Sequence, residues 1–227
     1  MRTIDEVISI VTRLSGDEDA AKLRRFFEKT GFETAPASTR FHGCRKGGLW
    51  AHCDNVANLM EAQNAFIETG LSDDELVLLG FVHSLSQAGI FIDKRFVARY
   101  IENPRFNPED PVVPANQPYN INPAFPHESK DYSIEYAGYF EFVTPDMLDA
   151  IKHRSGPYTK SIDKDDYLAH RCSTLAYLLH AADMISSKFT IRNPNEAQSV
   201  HELLGRTMTK EEFVRRWQSD EDGGGIT

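Results

Sequence analysis

The apolar positions of this chain recur mainly at helical spacing. From about Thr3 to Leu14, and again from about Glu18 to Lys29, they return at every third or fourth residue, and Gly31 stands where a helix would stop. Two short lead-in helices are predicted. The stretch from Thr34 to Leu49 carries Pro36, Gly43, Gly47 and Gly48 and reads as a loop, which feeds a longer periodic run from Trp50 to about Ile67. Ser72, Asp73 and Asp74 ahead of Glu75 make a helix N-terminus, and the ELVLLGFVHSL that follows is apolar on nearly every side. That helix is expected to run through the core. Beyond Gly89 the pattern changes: FIDKRFVARYI is rich in Phe, Ile and Val with some alternation, which predicts a hairpin, and the proline-rich stretch from Asn103 to Pro126 predicts a long surface excursion over the site. Helical spacing returns from about Glu128 to Phe142, from Pro145 to about His153 and from Asp166 to Phe189. A shorter helix from Thr209 to Trp217 begins with the Thr-x-x-Glu arrangement of a capping box.

These elements predict an all-α fold, a helical bundle with a small hairpin and loop insertion, in one structural domain. Residues 1–33 form a helical lead-in packed on the core, 34–190 the core, and 191–218 a helical extension. The acidic, glycine-rich residues 219–227 form a tail that is expected to be flexible.

Composition narrows the class. At 227 residues the chain has room for a substantial core, and with 41% hydrophobic and 26% charged residues it matches an ordinary globular domain. No apolar run approaches the roughly 20 residues of a membrane span, and MRTIDEVISIVTRL mixes Arg2, Asp5 and Glu6 with spaced aliphatics, unlike a secretory signal. A cytoplasmic chain without a membrane partner is expected. Cys44, Cys53 and Cys172 are odd in number and contain no CxxC pair, so neither a disulfide framework nor a zinc ribbon is suggested. A formal net charge of −9 opposes the positive field that duplex nucleic acid needs.

Five potential metal ligands, His52, His83, His127, His153 and Asp183, fall on different predicted helices or at their ends. Helical bundles build metal sites from such scattered inward-facing side chains. Mixed imidazole and carboxylate ligation suits zinc, iron, manganese or nickel better than calcium. A single histidine on an apolar helix is more often a hydrogen-bonded core residue, so the residues around each one decide.

The segment STRFHGCRKGGLWAHCDNVANLM, from Ser38 to Met60, resembles the first motif of HD-domain phosphohydrolases of bacteria and phages. GFVHSLSQAG (Gly80 to Gly89) stands where that superfamily carries its His-Asp pair. FPHESKDYSIEY (Phe125 to Tyr136), DMLDAIKHRSGPY (Asp146 to Tyr158) and LLHAADMISSKF (Leu178 to Phe189) resemble the elements that follow, in order. The resemblance implies one divalent ion on His52, His83 and Asp183, with His127 and His153 facing a second. It also implies a pocket-facing role for His42, and it marks Ser84 and Gln87 as altered catalytic positions, because relatives place a bridging Asp at the first and often a Lys at the second.

A serine hydroxyl is a poor ligand for a divalent ion and contributes no charge to hold two cations close. One ion at most is therefore expected, of Mn, Ni, Zn, Fe or Co, or none. Glu128 or Asp131 beside His127 would be the compensating carboxylates. Arg45, Lys46, Lys130 and Arg154 would supply an anion-binding rim, with His42, Lys46, Lys130 and Arg154 as the substrate-binding set. His180, three residues before Asp183, is a candidate to orient that carboxylate. The implied function is a degenerate metal-dependent phosphohydrolase for a nucleotide or other phosphorylated small molecule. The alternatives are an inactive pseudo-hydrolase that binds a ligand or a protein partner, and an HD-fold iron oxygenase, against which Ser84 counts.

Overall fold

A computed structural model describes residues 1–64, 66–67, 69–107, 117–126, 132–156 and 173–189. Helices α1 (Ile4–Ser15) and α2 (Asp17–Thr30) form the lead-in. Thr3 and Glu6 close a reciprocal capping box at the start of α1, with the Thr3 amide donating to the Glu6 carboxylate at 2.7 Å. Gly31, at φ +62°, ends α2 in the left-handed conformation that glycine adopts without a Cβ penalty.

Helix α3 (Gly48–Asn64) is the central element and packs on α4 (Asp73–Val82). The lead-in is tied to it: the Arg2 guanidinium donates to Asp54 Oδ1 at 2.9 Å and to Asn58 Oδ1 at 2.8 Å. Helix α4 starts at a second capping box, Ser72 with Glu75, and buries every residue from Leu76 to Val82. An apolar surface on all sides needs neighbours on all sides, which is why α4 threads the core.

Four strands follow. β1 (Gly89–Ile92) and β2 (Arg95–Ala98) pair antiparallel, with Ile90 opposite Val97, and β3 (Tyr100–Glu102) pairs antiparallel with β4 (Tyr119–Ile121). The β1–β2 turn puts Asp93 and Lys94 at φ +48° and +64°, the double left-handed geometry of a tight hairpin whose twist matches its strands. Ile90, Val97 and Phe125 make a separate small apolar cluster, joined by Ile121, Tyr132 and Tyr136.

These two sheets overturn the expectation of an all-α bundle. The chain is a mixed α/β fold in which helices predominate and a sheet layer with its own apolar contacts replaces what the sequence suggested was a hairpin insertion. The physical reason is the second pairing: β3 finds its partner far along the chain, so no local alternation announces it.

Helices α5 (Ser133–Ala137) and α6 (Pro145–His153) lead to α7 (Thr174–Phe189), which packs on both α3 and α6. Thr144 caps α6 and Pro145 occupies its first turn, where a missing amide hydrogen costs nothing. Within the run expected from Glu128 to Phe142, only Ser133–Ala137 is helical among the described residues. No helix among the described residues is long and apolar enough to cross a membrane. The predicted 191–218 extension, its Thr209 to Trp217 helix and the 219–227 tail lie outside the described residues, as do residues 108–116 of the 103–126 excursion.

Candidate metal centre

Three elements each contribute one side chain to a group that could hold a metal ion. His52 sits in the first turns of α3, His83 caps the C-terminus of α4 and Asp183 lies midway along α7. One ligand atom from each lies within 4.8 Å of the others. The imidazoles of His52 and His83 are 5.6 Å apart between ring centres, and His52 Nε2 is 3.2 Å from Asp183 Oδ1. These are side chains separated by as many as 131 positions in the sequence, gathered by helix packing alone.

His83 is set up as a ligand. Its ring is fully buried, and Nδ1 lies 2.8 Å from the Gly80 carbonyl oxygen, which can only accept. Nδ1 therefore carries the hydrogen and Nε2 carries the lone pair. Burial pushes the His83 pKa down to about 4, with His52 and Arg154 adding repulsion against the pull of Asp183, so the ring is neutral at neutral pH. Nε2 is buried and has no hydrogen-bond partner among the described residues. Buried polar nitrogens are rarely left so, and a cation beside His52 and Asp183 would satisfy this one. The residues fit a divalent ion.

His52 has its own support. The Ser186 hydroxyl lies 3.0 Å from His52 Nδ1, so it can hold that ring while Nε2 faces Asp183. Ser187 donates to Asp183 Oδ1 at 3.3 Å. Burial works to raise the Asp183 pKa, but the hydrogen bond from His52 and the charges of the neighbouring histidines and Arg154 outweigh it and hold the carboxyl well below its usual range. Since His83 is neutral at neutral pH, the hydrogen bond and the permanent charge of Arg154 account for that direction there.

His52 and Asp183 open onto a cleft of about 310 Å³, with His83 buried behind them. His42, Ser84, Gln87, Arg99, Tyr100 and Arg154 are on its walls. The loop that carries His42 folds back on α3 so tightly that a Cβ on Gly48 would lie 2.0 Å from the Gly43 carbonyl oxygen, which explains the glycines there. The His42 ring is 5.1 Å from that of His52, and burial together with His52 pushes its pKa down to about 4. Arg154 donates to the His83 carbonyl at 2.8 Å and is itself buried, which locks the end of α4 to the end of α6.

Comparison with family models, curated proteins and solved structures gives no match for this chain. The functional reading rests on geometry and on the motifs.

Of the residues singled out in the sequence, His52, His83 and Asp183 come together, and His42, Ser84, Gln87 and Arg154 surround them. His153 stays outside the ligand group: its Nδ1 lies 3.0 Å from Asp149 Oδ1 and 2.8 Å from the Asp149 carbonyl, within its own helix. Lys46 and Arg45 are exposed on the glycine loop and do not line the cleft. His180 does not orient Asp183 through Nδ1, which meets the Arg154 carbonyl at 2.7 Å. His127, Glu128, Lys130, Asp131 and Cys172 lie outside the described residues. Sequence reasoning missed Ser186 and Ser187, although both follow Asp183 at helical spacing. It also missed Arg99 and Tyr100, for which no local signal existed.

Proposed function

We propose that this chain is a degenerate metal-dependent phosphohydrolase of the HD type, acting on or binding a nucleotide or another phosphorylated small molecule. The observation that carries the reading is the buried Nε2 of His83, without a partner among the described residues, in a side chain grouped with His52 and Asp183. A divalent ion held there would supply Lewis acidity and activate water against phosphorus.

The protein's part is positioning and charge. His83 brings a lone pair fixed by the Gly80 carbonyl, and Asp183 brings the negative charge. His42 is neutral at neutral pH and faces the same cleft, where its imidazole can exchange a proton or a hydrogen bond with a bound ligand. Arg154, at the cleft wall, offers a cation to a phosphate oxygen.

A second reading, a ligand-binding pseudo-hydrolase, is favoured by Ser84, whose neutral hydroxyl lines the cleft where relatives would place a carboxylate. One experiment separates them. Chelator-stripped chain is titrated with manganese, nickel, cobalt and zinc, and nucleotide hydrolysis is followed. One equivalent of metal with restored turnover supports the hydrolase, and one equivalent with ligand binding but no product supports the binding module. Absence of uptake, or uptake unaltered by His83→Ala, ends both.

A further inference from the structure

Arg99 has no acidic partner and no side-chain hydrogen bond among the described residues, yet it is not a surface cation. It is half-buried, its Nε is buried without a partner, and it lines the same cleft as His52 and Asp183. The guanidinium lies 5.4 Å from the Tyr100 ring centre and 5.7 Å from that of Phe125, close enough for both rings to hold it by cation–π attraction.

The backbone beneath it is fixed on both sides. The Arg99 amide donates to the Ala88 carbonyl at 3.1 Å, and its carbonyl accepts from the Asn122 amide at 2.9 Å. Asn122 also donates from its side chain to the Ala98 carbonyl at 2.9 Å, so Arg99 sits at a rigid joint between the two small sheets. A planar donor group on a rigid joint, with an unsatisfied N–H in a cleft, is suited to an anion that supplies oxygens.

We infer that Arg99, delivered by the sheet layer, is the cation that receives the phosphate group of the ligand, in place of the charge absent at Gln87. Gln87 supports this division of labour. Its side-chain amide lies 3.4 Å from the Tyr100 hydroxyl, which donates to the Ala37 carbonyl at 3.1 Å, and it puts a neutral group on the cleft wall. Arg154 approaches the cleft from α6 and Arg99 from the sheets, so a phosphate beside the ligand triad would be met by guanidinium groups from separate layers. Monoester phosphate, with oxygens to spare for a metal and for arginine forks, matches that arrangement.

The inference rests on the reading of the ligand as phosphorylated, and it is testable apart from the metal. Inorganic phosphate binding to the full chain is measured by calorimetry at constant ionic strength, alongside zinc uptake, for the natural protein, Arg99→Gln and Arg99→Lys. The expected result is a loss of tenfold or more in phosphate affinity for Arg99→Gln, an intermediate loss for Arg99→Lys, and unchanged zinc uptake in both. On the unmutated chain, phosphate should protect Arg99 from an arginine-directed dicarbonyl reagent, read by peptide mass, which needs no variant to fold. Phosphate binding that Arg99→Gln leaves intact, or labelling of Arg99 that phosphate does not slow, overturns the assignment while leaving the metal site standing. Arg99-dependent phosphate binding in a chain that takes up no metal would uphold Arg99 and remove the hydrolase.

Discussion

Gly80 of α4 meets Ala57 of α3 so closely that a Cβ at position 80 would lie 2.7 Å from the Ala57 Cα and Cβ. This crossing falls between the two histidines of the candidate metal centre, three residues before His83 on one helix and five after His52 on the other. The glycine therefore sets the spacing of the imidazoles. Gly80→Val should overpack the crossing, lower stability by roughly 1–3 kcal/mol and separate His83 from His52. Denaturant unfolding and zinc titration should both register the change. A variant of undiminished stability and full zinc uptake would show that the helices can shift without disturbing the site.

The Ser186 hydroxyl lies 3.0 Å from His52 Nδ1, on the side of the ring away from Asp183, and 3.4 Å from the His52 carbonyl oxygen. Its removal should leave the fold intact but free the imidazole to rotate, and supporting hydrogen bonds of this kind are worth roughly 10- to 100-fold in metal affinity. Ser186→Ala should weaken zinc binding by about that factor in competition with a chromogenic chelator. Ser186→Thr, which keeps the hydroxyl, should retain more of it. Equal affinities for all three would mean that His52 is held by packing instead.

Acid should destabilise the metal-free protein from an unusually high pH. His83 and His42 are both pushed down to about 4 in the folded chain, from an ordinary value of 6.5. Between those limits the unfolded chain binds protons that the native one refuses, so stability is full above pH 6.5 and falls as pH drops toward 4. Asp183, held well below the carboxylate range, adds a loss of the same sign further into acid. Chemical unfolding in chelator at a series of pH values checks this, and His83→Asn should flatten part of the slope. A level profile from neutrality to pH 4 would contradict neutral burial of the two imidazoles.

Much of the helical frame was legible because its signals are local. Ser72 and Glu75 announce α4 within four residues, and Pro145 marks the start of α6 in both sequence and structure. The β1–β2 hairpin was legible for the same reason, since Asp93 and Lys94 turn the chain between adjacent strands. The pairing of Tyr100 with Ile121 was not, because strands that meet across a long connection carry no shared pattern. That one non-local pairing is why an all-α fold was expected. The site divides likewise. His52, His83 and Asp183 were reachable through the motifs around them, whereas Arg99 belongs to the cleft only because two sheets carry it there.

Ser84 offers the most direct test of the proposed degenerate hydrolase. It is 3% exposed and lies on the wall of the cleft beside the ligand triad, so a carboxylate at this position would be buried next to Asp183. Without a cation, two such acids repel each other and one must take up a proton or the fold must yield. With divalent ions the same charge becomes a ligand. Ser84→Asp should therefore melt at a lower temperature than the natural protein in chelator and gain more on adding manganese. Elemental analysis should show its metal content rising from one equivalent toward two, with phosphatase activity increasing alongside. The ratio of melting shifts with and without manganese separates this from simple damage, which would lower both alike. A variant that binds no additional metal and gains no activity would indicate that position 84 does not face the ion, and the reading of this chain as a disarmed hydrolase would fall with it.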